Sequence, residues 1–81
     1  MDKYERYKEM QEISYKFEER IQNAKSIKLY SVFIHGDENT DLYFCDIEYV
    51  NAYGYNRIYK NVTLEALTNF VETLEKRKPL N

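Results

Sequence analysis

Asp37, Asn39 and Asp41, followed by Glu48 in the twelfth position counted from Asp37, have the carboxylate spacing of a calcium-binding EF-hand loop. The sixth position of such a loop must be Gly for its sharp turn, and here it is Leu42. Leu42 to Val50 has the composition of a strand, which carries Glu48 about 20 Å from Asp41. The string therefore reads as a polar hairpin tip, not a cation site. Cys45, the one thiol, and His35, the one imidazole, are the only pair that could build a nucleophile and base. Alternation along the strands sends them to opposite faces, so a dyad is not expected. One Cys and one His also exclude an intramolecular disulfide and an all Cys/His zinc site. No Gly-rich phosphate loop is present, and neither turnover nor a cofactor is predicted.

The charge pattern is more informative. The chain has 12 Lys and Arg against 14 Asp and Glu, a formal charge of -2. Between Lys28 and Arg57 there is no basic residue, whereas Asp37, Glu38, Asp41, Asp46 and Glu48 all fall there. Four of the nine tyrosines, Tyr43, Tyr49, Tyr53 and Tyr55, lie within or beside this stretch. Tyr combines contact area with a polar end, and carboxylates beside it suit a basic protein surface. The candidate partner-binding residues are Asp37, Glu38, Asp41, Asp46, Glu48, Tyr53 and Tyr55. Acidic residues also keep sheet edges soluble, which accounts for the same pattern without a partner.

These residues must be held by five elements. Asp2 and Glu5 have the form of a capping box, and Tyr4, Tyr7, Met10, Ile13, Phe17, Ile21 and Ala24 then recur at spacings of three and four. They predict an amphipathic helix over residues 3 to 24. Ile27 to His35 and Leu42 to Val50 are dense in β-branched and aromatic residues around a turn at 36 to 41, which predicts a hairpin. Residues 52 to 56 make a second turn, and Arg57 to Asn61 a third strand. Thr63 caps a second helix, with Val62 and Leu67 as a hydrophobic staple and Leu64, Leu67, Phe70, Val71 and Leu74 as its stripe. Pro79 stops it after residue 77. The fold class is α+β, in the order helix, three strands, helix.

A turn at 36 to 41 pairs 34 with 43, 32 with 45 and 30 with 47. One face is then Tyr30, Val32, Ile34, Tyr43, Cys45 and Ile47, uncharged and suited to burial under both helices. The other mixes Leu29, Phe33 and Phe44 with Ser31, His35, Asp46 and Glu48. With 81 residues there is one domain, and its core is small. Truncating Phe17 or Leu67 to Ala is expected to cost about 2 to 5 kcal/mol.

The longest unbroken run of aliphatic or Phe residues is Val32 to Ile34, far short of the roughly 20 residues of a membrane span. Met1 to Ser14 has no apolar block for a signal peptide, and an unpaired Cys45 suits a reducing compartment. A cytoplasmic protein is expected, and the glycosylation pattern at Asn61, Val62 and Thr63 is discounted.

The order of elements resembles the double-stranded RNA-binding domain. That family places a Lys-rich cluster where this chain has Thr63, Leu64, Glu65 and Ala66, and a groove-contacting loop where it has Gly36 to Asp41. Those acidic replacements would repel phosphate, so RNA binding is not carried over. In charge as well as order, the chain is similar to small phage-encoded anti-CRISPR proteins that inhibit Cas9. The matching features are Asp37, Glu38, Asp41, Asp46 and Glu48, with Tyr53 and Tyr55 at the opposite turn. The resemblance implies stoichiometric binding in a bacterial host cell, with carboxylates placed where DNA phosphates would sit, and no direct contact with nucleic acid. The alternative is a structural module that dimerises through Leu29, Phe33 and Phe44.

Overall fold

The computed structural model describes residues 3–37 and 39–80. Five elements follow in the expected order: α1 (Lys3–Ala24), β1 (Lys28–Gly36), β2 (Tyr43–Val50), β3 (Asn56–Thr63) and α2 (Leu64–Lys76). The strands form one antiparallel sheet in the order β1-β2-β3, and the class is α+β. The expected cap at Asp2 lies outside the described residues.

Both helices pack on one face of the sheet. Met10, Ile13 and Phe17 of α1 lie against a core of Ile21, Ile34, Cys45, Ile47, Leu67, Val71 and Leu74, and the Phe70 ring of α2 sits 5.3 Å from that of Tyr49. Fully burying a Leu or Val side chain is worth about 1.5 to 3 kcal/mol, so the α2 stripe contributes much of the stability. The α2 start is built as the spacing predicts: Thr63 Oγ1 accepts from Ala66 N at 3.1 Å. At the other end, the Ser26 hydroxyl, itself buried, donates to the Leu74 carbonyl at 3.0 Å and ties the turn after α1 to the last turn of α2. Arg20 and Glu75 add a two-bond ion pair between the helices, and this bond holds the Glu75 carboxyl below its ordinary range.

Two departures from the expected register have local causes. Asp37 N donates to Leu42 O, so the hairpin loop is two residues shorter than expected, and Ile34 pairs with Cys45 and Val32 with Ile47. Asp37 Oδ1 and Thr40 Oγ1 hold that loop by accepting from Asn39 N and Leu42 N. A shift of two preserves alternation, so Cys45 faces the core as expected. Further along β1 a bulge leaves Tyr30 without an opposite residue. Tyr30, expected on the covered face, is therefore exposed, and Leu29, expected on the other, pairs with buried Tyr49 and packs against the core. The third strand extends to Asn56–Thr63, longer at both ends than expected. Tyr4 and Tyr7, expected in the α1 stripe, are exposed.

Candidate protein interface

The face opposite the helices is open. Pairing places Lys28, Ser31, Phe33 and His35 of β1, Phe44, Asp46, Glu48 and Val50 of β2, and Asn56, Ile58 and Thr63 of β3 on it. Phe33 is 61% exposed and Ile58 is 56% exposed. His35 links the aromatics, with ring centroids 5.7 Å from Phe33 and 6.1 Å from Phe44. The result is a mixed face, with Asp46 and Glu48 on the central strand and the exposed Phe33 and Ile58 on the strands either side of it.

The seven sequence-predicted residues do not form one cluster. Asp37 and Asp41 sit at one end of β2, in the hairpin loop, and Glu38 lies outside the described residues. Tyr53 and Tyr55 sit in the turn at the other end, about 26 Å away along an eight-residue strand. Tyr53 is 86% exposed, and the Arg57 guanidinium lies 5.9 Å over the Tyr55 ring. This turn is rigidly built: Asn51 Oδ1 accepts from Tyr53 N and Tyr55 N, both at 3.0 Å, and Gly54 takes φ 85°. A partner touching both ends must cross the open face between them. Among the named tyrosines, Tyr49 is not available because it is buried in the core. Tyr43 is half-buried, with its hydroxyl donating to Glu9 at 2.8 Å and the Arg6 guanidinium 5.2 Å over its ring.

Asp46 turns out to hold the sheet together. Its Oδ1 accepts from Asn61 N at 2.9 Å and lies 3.1 Å from His35 Nε2. Asn61 and Lys60 together oppose Asp46, and Asn61 adopts the left-handed φ of 57°. The carboxylate thus fixes a bulge on one side strand and the imidazole on the other. The Asn61 N–H does most to lower its pKa; burial opposes this, and His35 and then Lys60 lower it further. Glu48 accepts a 3.3 Å bond from Asn56 Nδ2. The hairpin is also less starkly acidic than the chain order implies. Lys60 from β3 acts on Asp46, and Arg6 from α1 donates to the Leu42 carbonyl at 3.1 Å.

Cys45 is buried on the helix-covered face, and burial pushes its thiol up to about 11. His35 stands on the opposite face. Among the described residues, no group of three or more His, Cys, Asp or Glu could hold a metal ion, and no helix is long and apolar enough to cross a membrane. The roles of Asp46, Asn61 and Ser26 were not read from the chain. An Asn after a Lys in a strand was the one available signal for a left-handed bulge residue.

Comparison with known proteins finds no matching family model, no similar curated protein and no similar solved structure.

Proposed function

We propose that this chain is a non-enzymatic inhibitor that binds a basic protein surface through the open sheet face. The Asp37 and Asp41 tip and the Tyr53 and Tyr55 turn lie at the two ends of that surface. The observation that carries the reading is the exposure of Phe33 and Ile58 beside Asp46 and Glu48 on a face that neither helix covers. Carboxylates steer a Lys- and Arg-lined cleft, while the aromatics supply contact area once the pair has docked. Burial of Cys45 away from His35 supports binding over turnover. The resemblance to phage anti-CRISPR proteins suggests a nucleic-acid cleft such as that of Cas9 as the target, in the cytoplasm of a bacterial host.

The test is DNA cleavage by Cas9 in the presence of the protein. Stoichiometric inhibition that excess DNA relieves is the expected result. Replacing Asp37 and Asp41 by Asn and Glu48 by Gln together should slow association and flatten its dependence on salt. Unimpaired cleavage at a large molar excess would reject this target, and unchanged kinetics in the triple variant would reject the surface.

The exposure of Phe33 and Ile58 also favours a second reading, a homodimer closed over the same face. Sizing across a dilution series separates the two, because an apolar seam dissociates on dilution with little sensitivity to salt.

A further inference from the structure

The strand order leaves β1 with one side unpaired by any strand. The bond from Asp37 N to Leu42 O sets the alternation of the ladder, so His35 and Phe33 bond toward β2 while Ile34 and Val32 direct their N–H and C=O groups outward. The Val32 carbonyl confirms this direction, since it accepts from Ser14 Oγ of α1 at 3.3 Å. Between α1 and this edge lies an open cavity of about 570 Å³ lined by Tyr7, Met10, Ser14, Tyr15, Glu18 and Phe33, among others. Ile34 also lines it. Because Phe33 belongs to the open face and Ile34 to the covered one, a cavity touching both lies at the edge of the sheet and not above it.

We propose that this cavity is a docking groove for an extended segment of a partner protein, which adds to β1 as a fourth strand. The groove adjoins the open-face surface and shares Phe33 and His35 with it, but its main-chain bonds do not rest on that reading. Added strands take their affinity from main-chain bonds and their selectivity from alternate side chains. Here the main-chain bonds are offered by Val32, whose carbonyl exchanges its long Ser14 bond for the segment's, and by the edge-facing main chain of Ile34, whose side chain is buried in the core. Alternate side chains would meet Tyr7, Met10 and Tyr15 on one side and Phe33 on the other. A second copy of β1 fits poorly. Paired strands lie about 4.8 Å apart, whereas two helices need 8 to 10 Å, and α1 already lies against β1.

Charge sets which end of the groove takes a cation. Arg6 of α1 lies against Gly36 and Ser14 against Val32, so α1 runs antiparallel to β1 and Glu18 falls toward the strand's start. Glu18 is the carboxylate of the groove, and Glu19 continues the acidic wall beyond Tyr15. A segment antiparallel to β1 brings its C-terminal end there. The occupant is therefore an alternating apolar strand with Lys or Arg at its C-terminal end.

The probe is a capped ten-residue peptide that alternates Val with Thr and ends in two Arg, titrated into isotopically labelled protein. Saturable shifts of the Val32 and Ile34 amide signals are expected. A matched peptide ending in two Glu should bind at least five-fold more weakly, and one with two adjacent central prolines should not bind, because Pro removes the donors. Tyr15→Ala, at an exposed position that leaves the fold intact, should weaken binding several-fold. No shift at peptide concentrations of about 1 mM, where even weak binding registers, would overturn the groove. Shifts confined to Phe44 and Glu48, or equal binding of the Pro peptide, would overturn it as well. So would a dimer formed through β1.

Discussion

Ile34, Cys45 and Ile47 are almost wholly removed from solvent, while Phe33, adjacent to Ile34 in the chain, and Ile58 on β3, across the central strand, remain more than half exposed. The strands alternate, both helices lie on one side, and residues of similar apolarity meet opposite fates. Composition along a strand therefore does not say which residues stabilise the fold. The partner layer decides that, and whatever is apolar on the uncovered side is available for binding.

The sharpest contrast is between truncations on the two sides. Leu67→Ala removes a fully buried side chain from the centre of the helix-covered core and should cost about 2 to 5 kcal/mol. At roughly 0.05 to 0.15 kcal/mol per residue, that is a large share of the stability of so short a chain. Urea denaturation is the measurement. A loss below 1 kcal/mol would mean that α2 is not the layer that closes the core.

Asp46 is the next step down. It stands on the open face yet bonds to both neighbouring strands, so Asp46→Ala should cost about 1 to 2 kcal/mol, its partial exposure keeping the value modest. The pH dependence has a definite sign. A carboxyl whose folded pKa is lowered stabilises above its unfolded pKa, and that stabilisation is lost as pH falls through the folded value. The gap between the wild type and Asp46→Ala should therefore be full at pH 6 and close in strong acid. A gap that widens in acid would contradict the assignment. The bulge it anchors predicts a smaller effect: Asn61→Ala, at φ 57°, should cost about 1 kcal/mol, and Asn61→Gly should cost less than Asn61→Ala. Equal stability of the Ala and Gly variants would remove backbone strain as the cause.

Much of this was legible from periodicity. The helix stripes, the Thr63 cap and the inward side of Cys45 follow from spacings of three, four and two, which a shift of two in pairing leaves untouched. What could not be read are the one-residue irregularities. The bulge at Tyr30 exchanges the sides of Leu29 and Tyr30, and neither residue type announces it. The bulge at Asn61 draws Asp46 into the sheet, so a residue that looks like free surface charge in the chain is engaged in the fold. Neighbours distant in sequence were equally hidden: Arg6 beside the hairpin loop and Lys60 acting on Asp46 temper a stretch that holds no cation of its own.

The smallest effect separates the open face from a closed seam. Ile58→Thr keeps a β-branched side chain, so strand propensity is nearly unchanged and the variant isolates the apolar contact. Ile58 is exposed and lies opposite Glu48, which gives the side chain little to lose on the monomer. Stability should change by no more than about 0.5 kcal/mol, the usual range for a surface position. The measurement is made at two protein concentrations a hundred-fold apart. A small effect at both identifies a face that no second copy covers in the free protein. A loss that grows at the higher concentration would mean that a second copy covers Ile58, and the comparison between a covered and an uncovered face would then hold only for the isolated chain.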